Sequence, residues 1–186
     1  MEFTEEQRSR YARHLTLDAI GEEGQRRLLA GRVLLIGAGG LGSPVALYLA
    51  AAGIGNLGIV DADSVDASNL QRQVLYTTAD VGRPKALVAS ERLQALNPDV
   101  AVVPHTIWFD KANAQTILAG YDFVIDATDN FEAKFLIADS CHHASIPYSH
   151  GGIDQCFGQT LTVIPGQSAC YRCLFAAPPP LSDAEP

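Results

Sequence analysis

The chain is short of positive charge, of cysteine and of long apolar runs, and each shortage excludes something. Thirteen lysines and arginines stand against twenty-one acids, for a formal charge of −8 at pH 7. Duplex binding draws most of its affinity from cations set on phosphates, so this balance excludes nucleic acid as the main partner. A single nucleotide needs only a few well-placed cations and stays open. No apolar run is long enough to cross a bilayer, and Met1–Arg10 carries three acids and lacks the apolar core of a signal peptide. The four cysteines, two of them the close pair Cys170 and Cys173, fit cytosolic thiols or half of a metal site better than a disulfide framework. These absences point to a cytoplasmic protein that does not engage membrane. What is present, 186 residues with 47% hydrophobic and 18% charged, suits one soluble domain with a single sizeable core. There is no internal repeat.

Along the chain, strand and helix signals alternate. Thr4, followed three residues later by Gln7, has the form of a capping box, which predicts a helix over Glu5–Leu15. A second helix is expected over Glu22–Ala30, ending at Gly31. Val33–Ile36 is an unbroken apolar run, the pattern of a strand buried on both faces of a parallel sheet. It leads directly into Gly37, Gly39, Gly40 and Gly42 and a helix of small residues over Ser43–Ala52. Further strands are expected at Leu57–Val60, Val100–Val103, Phe123–Asp126, Pro147–Ser149 and, on an edge, Gln159–Ile164. Helices are expected over Lys85–Leu96, with Pro84 at the first helical position, over Asn113–Ala119 and over Phe131–Ala144. The fold class read from this alternation is α/β, an open, mainly parallel Rossmann-like sheet with helices on both faces and an N-terminal helical arm. The division is arm 1–30, nucleotide-binding domain 31–177 and a Pro-rich, acidic tail 178–186. The connection over 62–82 is long and polar without being of low complexity, which suggests a functional loop.

Three groups of residues carry the chemistry. Gly37, Gly39 and Gly42 satisfy the dinucleotide fingerprint between a strand and a helix, where backbone can approach a phosphate and the helix N-terminus offers free N–H groups. Asp61 stands nineteen residues after Gly42, placed to accept from ribose hydroxyls. Close strand–helix packing is the plainer use of these glycines, and the fingerprint alone does not choose between NAD and ATP. Asn69, Arg72 and Lys85 tilt the choice to ATP. A triphosphate attacked at its α-phosphorus must have its departing pyrophosphate stabilised, which calls for cationic clamps and a metal. Each of the three, taken alone, reads more simply as a solvated surface group. Asp129, after the fourth strand, is the candidate magnesium ligand, because hard cations take carboxylate oxygens. The competing role of Asp129 is N-cap of the next helix, which Asn130 could fill instead.

In order, Arg10-Tyr11-Ala12-Arg13-His14, the 37–42 glycine loop, Asp61-Ala62-Asp63, Ser68-Asn69-Leu70-Gln71-Arg72-Gln73, Gly82-Arg83-Pro84-Lys85 and Asp129-Asn130-Phe131 closely resemble the ThiF/MoeB/HesA family, bacterial relatives of ubiquitin-activating enzymes. The resemblance covers about residues 5–175. It implies that Asp61 holds the ribose and that Asn69, Arg72 and Lys85 contact the phosphates, with Asn130 and the glycines in the nucleotide-contact set. It implies that Asp129 serves magnesium, and that Arg13 reaches into the partner subunit's site across a homodimer. The implied reaction is ATP-dependent adenylation of the C-terminal carboxylate of a ubiquitin-like sulfur carrier with a diglycine end, in molybdopterin or thiamine biosynthesis. Cys170-Tyr171-Arg172-Cys173 leans towards the molybdopterin branch and would be half of a four-cysteine zinc site. The second pair, which the family carries further along, is missing from this sequence, so it is expected to be a fragment or a shortened homologue. Zinc is expected only in a longer chain. Lys134 stands where much of the family has arginine, and the two differ in hydrogen-bond geometry. Cys141 and Cys156 read as small buried apolar residues, and the Cys141-His142-His143 cluster as incidental.

The chemistry needs no general base. A C-terminal carboxyl has a reference pKa of roughly 3.5 and is already an anion at neutral pH. A site of Arg, Lys, Asn, Asp and magnesium with no Ser–His or Cys–His pair fits that demand. An NAD-dependent oxidoreductase is disfavoured, since no catalytic proton donor or substrate domain is evident. A non-catalytic subunit or fragment that binds nucleotide or carrier without turnover is the remaining alternative.

Overall fold

In the computed structural model the structure describes residues 2–177; the tail expected at 178–186 lies outside them. Six strands form one sheet in the order β3-β2-β1-β4-β5-β6. They are β1 (Arg32–Ile36), β2 (Asn56–Val60), β3 (Ala101–His105), β4 (Phe123–Asp126), β5 (Tyr148–Asp154) and β6 (Phe157–Val163). The first five run parallel, and β6 closes the edge antiparallel to β5. This is the Rossmann-like α/β architecture.

Strand β1 is central, and it is apolar and buried from Val33 to Ile36 because both its faces are covered. Val33 and Leu35 join one core cluster with Ala46 and Ala50 of α4 (Gly42–Ala52) and Val88, Ala89 and Leu93 of α5 (Lys85–Leu96). Leu34 and Ile36 join a second cluster with Ile117 and Leu118 of α6 (Ala114–Leu118) and Phe135, Ile137 and Cys141 of α7 (Phe131–Ala144). Period-two alternation thus sends successive side chains to opposite helical layers. Leu34 and Leu35 are fully buried, each contributing about 1.5–3 kcal/mol of burial energy.

The N-terminal arm contains α1 (Glu5–Arg10), α2 (Ala12–Leu15) and α3 (Gly21–Ala30). The capping box forms: Gln7 N–H donates to Thr4 Oγ1 and Thr4 N–H to Gln7 Oε1. The single helix expected over Glu5–Leu15 is broken at Tyr11. Tertiary contacts cause the break. Tyr11 is buried, its hydroxyl donating to Asp99 (3.0 Å) and accepting from Asn97 Nδ2 (2.9 Å). Asn97 in turn donates to the Ala50 carbonyl, and Gln25 Nε2 to the Ala52 carbonyl, so the arm is seated against the end of α4.

Other boundaries move for similar reasons. Pro84 is the N-cap of α5 rather than its first residue. Strand β3 runs through Pro104 to His105, past the expected end at Val103. It can do so because β3 is a sheet edge, where one side of the backbone has no ladder to join. Strand β5 extends well past the expected 147–149, and a four-residue helix α8 (Tyr171–Leu174) follows β6.

Candidate nucleotide site

In this strand order the topological switch falls between β1 and β4, whose carboxyl ends bound the crevice where ligands of open α/β sheets collect. The loop after β1 holds the glycines, and the loop after β4 holds Asp129. The two loops touch. A Cβ on Gly37, whose φ is +90°, would lie 2.8 Å from the Ala127 carbonyl oxygen, so only glycine lets these segments approach.

The glycine loop is anchored from beneath. Gly37 N–H donates to the Val60 carbonyl, and Ala38 N–H to Asp61 Oδ2 at 2.8 Å. The Ala38 carbonyl accepts from the buried Tyr76 hydroxyl at 2.8 Å. Among the described residues the amides of Gly39, Gly40 and Leu41 take no intramolecular partner. Those three free N–H groups sit at the N-terminus of α4, a ready anion-binding arrangement.

Asp61, just past β2, accepts Ala38 N–H on one oxygen and Asp63 N–H (2.9 Å) on the other. Burial raises its pKa, against those two N–H groups and the nearby Lys85, which lower it. Each oxygen retains a lone pair for a hydroxyl donor. Asp61 therefore also orders the loop beside it, a task its spacing alone did not disclose.

The long 62–82 connection is ordered. It carries two short 3₁₀ turns, Ala67–Asn69 and Thr78–Asp80, and buries Val65, Leu75 and Tyr76 in the core. It brings Arg72 over the glycine loop, its Cδ 3.3 Å from where a Gly40 Cβ would stand. The guanidinium is exposed and donates to Asn69 Oδ1 at 3.0 Å. Lys85 is no solvated surface charge: its side chain is 6% exposed and its Nζ lies 2.9 Å from Asp63 Oδ2. Gln73, not singled out from the sequence beyond its place in a motif, is also buried. Its carboxamide nitrogen sits beside Gly39, and its Oε1 has no hydrogen-bond partner among the described residues.

At the other side of the crevice, Asn130 is the N-cap of α7, its Oδ1 accepting Ala133 N–H at 2.8 Å. That leaves Asp129 exposed, and among the described residues it makes no hydrogen bond or ion pair. An exposed, unpaired carboxylate on the loop that touches the glycine loop fits a magnesium ion, which takes one or two carboxylates and fills its shell with substrate phosphates and water.

Two sets are not brought to this crevice by any contact. Arg13 is exposed on α2; its carbonyl accepts from the Thr16 hydroxyl, and its guanidinium makes no hydrogen bond or ion pair among the described residues. Cys170 and Cys173 lie at α8 with sulfurs 3.3 Å apart. No group of three or more metal-binding side chains occurs among the described residues, so they offer half of a tetrahedral zinc site. Cys141 is buried as expected, which pushes its thiol up to about 12. Cys156 is exposed at the β5–β6 turn, correcting the expectation that it is buried.

The cysteine helix is tied to α7 by a bidentate pair, Arg172 Nε and Nη2 to Asp139 at 2.6 and 2.7 Å. Arg172 holds the Asp139 carboxyl below the usual range. A depressed acid contributes stability that is full above its unfolded value of about 3.9 and is lost as pH falls through the lower folded value. Because both groups are substantially exposed, the gain is under about 1 kcal/mol. Asp139→Asn is therefore expected to lower the melting temperature by no more than about 3 °C at pH 7 and to speed alkylation of Cys170 and Cys173. The difference from wild type should shrink as pH falls below 4. Equal alkylation rates at pH 7 would show that this pair does not hold the cysteine turn.

A Rossmann-like sheet with free amides, two cations and an unpaired carboxylate at its switch point defines a nucleotide-binding α/β protein. The ThiF family model matches residues 11–185, and the chain belongs to that family. It is 49% identical over 173 residues to the SAMP-activating enzyme E1 of Haloferax volcanii, covering 93% of this chain and 64% of that protein. It is 49% identical over 185 residues to the sulfur carrier protein adenylyltransferase of Thermus thermophilus, covering 97% of this chain and 68% of that one. The chain thus spans about two thirds of the length of these relatives. Among solved structures it resembles Escherichia coli MccB with ATP, at TM-score 0.80 and 28% identity over 88% of this chain and 50% of that one. It also resembles Escherichia coli tRNA N6-threonylcarbamoyladenosine dehydratase in complex with ATP, at TM-score 0.74 and 30% identity, covering 80% of this chain and 60% of that one.

Proposed function

We propose that this chain is the adenylating unit of a cytoplasmic enzyme that uses ATP and magnesium to activate the C-terminal carboxylate of a ubiquitin-like sulfur carrier ending in diglycine. The observations that support this reading are the free glycine-loop amides with Arg72 lying over Gly40, the buried Lys85 paired with Asp63 after β2, and the exposed, unpaired Asp129 on the loop that touches the glycine loop. The names of the two relatives above, and the ATP held by the two solved neighbours, support it. Residues 31–177 form the nucleotide-binding domain in this reading, and 1–30 the arm.

The reaction follows from charge. A carrier carboxylate oxygen attacks the α-phosphorus, the bond from that phosphorus to the bridging oxygen of the β-phosphate breaks, and pyrophosphate leaves with the electron pair. The product is an acyl-adenylate, and no proton need move. Asp61 accepts from the ribose hydroxyls, and the Gly39–Leu41 amides lie against the phosphates. Arg72 and Lys85 neutralise charge as it passes to the leaving group; such preorganised stabilisation is commonly the largest catalytic contribution. Asp129 would hold magnesium, which when bound supplies charge neutralisation to the polyphosphate. Arg13 completes the site of a partner copy in a homodimer, and Cys170 and Cys173 supply two of four ligands to a zinc ion in the longer protein. The carrier belongs to the molybdopterin or thiamine pathways.

The direct test is ATP–pyrophosphate exchange with magnesium and diglycine-ended carriers. Exchange that requires a carrier is the expected result. ATP binding without exchange would reduce the chain to a binding module, and NAD binding without ATP binding would replace the assignment altogether.

A further inference from the structure

Lys134 is a buried lysine that the proposed chemistry does not use. It projects from α7 and its side chain is 6% exposed. Its Nζ donates a short hydrogen bond to the Thr128 carbonyl and a second, of 2.8 Å, to the Gly151 carbonyl of β5. It lies 3.6 Å from Asp126 Oδ1. Asp126, also buried, is a hub for the same loop. Its Oδ1 accepts the Thr128 N–H (3.0 Å) and hydroxyl (2.7 Å), and its Oδ2 faces His150 Nδ1 at 2.9 Å.

A buried ammonium is costly, and an apolar side chain of similar size would fill the space at lower cost. Burial lowers the Lys134 pKa and Asp126 opposes that shift, as expected for a cation kept in the interior by specific partners. Those partners share one property. Thr128 is the residue before Asp129, and it is gripped at its N–H, its hydroxyl and its carbonyl. Asp129 itself has no hydrogen bond or ion pair to fix it, only a longer-range attraction to Lys134, while its other neighbour, Asn130, is fixed as the helix cap. The carboxylate is held through its flanks and left free at its oxygens. Groups that orient a metal ligand in this indirect way commonly change metal affinity by 10–100-fold when removed.

We infer that Lys134 is a positioning residue, which with Asp126 clamps the 127–130 loop so that Asp129 is presented to the metal–nucleotide and linked to strand β5. This rests on the reading of Asp129 as the magnesium ligand. An ammonium suffices because two separate carbonyls accept from it and a carboxylate 3.6 Å away attracts its charge, which needs donors on a point and no planar fork.

The test titrates Mn²⁺ onto the protein with a non-hydrolysable ATP analogue, read by electron paramagnetic resonance, beside hydrogen exchange of the 127–131 amides. Lys134→Met should weaken Mn²⁺ binding about tenfold, speed exchange of those amides, and leave analogue binding without metal within about twofold. Lys134→Arg should recover most of the loss. A merely structural lysine would lower the melting temperature and leave metal affinity unmoved. If Lys134→Met does not fold, Thr128→Val removes only the hydroxyl's bond to Asp126 and should weaken Mn²⁺ binding in the same direction, with normal folding. Unchanged Mn²⁺ affinity in both soluble variants, while Asp129→Ala abolishes it, overturns the inference and leaves the proposed function standing. Unchanged affinity in Asp129→Ala removes the metal assignment and this inference with it.

Discussion

Replacing Asp129 by alanine is expected to lower carrier-dependent exchange by a factor of about 10²–10³, while moving the melting temperature by no more than about 4 °C. The two halves have separate causes. The carboxylate is exposed and unpaired among the described residues, so its loss breaks no contact. A favourable charge near the α7 N-terminus disappears, worth about 0.3–1 kcal/mol, together with a longer-range attraction to Lys134. In the transition state the same carboxylate would hold the metal that offsets charge on the leaving pyrophosphate, and nothing else in the loop can substitute. Asn130→Ala should show the converse pattern, costing about 1 kcal/mol through the lost cap with a smaller effect on exchange. Full exchange in Asp129→Ala would sink the metal assignment, and a collapse in stability would make Asp129 structural.

The second large effect is expected at Gly42. A Cβ there would stand 2.0 Å from the Gly37 carbonyl oxygen and 2.9 Å from its carbon. Both are backbone atoms, in a loop anchored by Val60, Asp61 and Tyr76, so neither can swing aside. Gly42→Ala must push the α4 N-terminus away from the loop and spoil the convergence of the free amides. We expect nucleotide affinity to fall at least about a hundredfold, with a stability loss of about 1–3 kcal/mol from overpacking. Gly82→Ala is the control, because Gly82 also has positive φ (+86°) but open space around its Cβ position. It should cost about 1–2 kcal/mol in left-handed strain and leave nucleotide binding intact. Nucleotide binding by Gly42→Ala equal to that of the control would mean that the glycines serve packing alone.

Several features were unreadable in the chain for physical reasons. Strand β5 looked short because Gly151 and Gly152 interrupt its apolar pattern; pairing with β6 along its full length makes it a strand. The hairpin turn uses Gln155 at φ +49° and the exposed Cys156, with no glycine or asparagine to announce it. Tyr11 sits in a run of good helix formers, and the bonds that break the helix there come from Asn97 and Asp99, more than eighty residues away. Lys85, taken alone, read as a solvated surface group, and no local pattern marked Lys134 as buried; the burial of both depends on loops that only the folded sheet brings alongside.

The sequence by itself determined what short-range physics can specify: the capping box at Thr4, the apolar run of β1, the glycine loop, and an acid after each of β2 and β4. These follow from periodicity and local backbone demands, which neighbouring residues encode. The tertiary structure alone decided which of those groups converge. It set β1 beside β4, brought Arg72 across Gly40, buried Lys85, and freed Asp129 by giving the cap to Asn130. Such choices depend on hydrogen bonds and exclusion between segments distant in the chain, and no local pattern of residues records them.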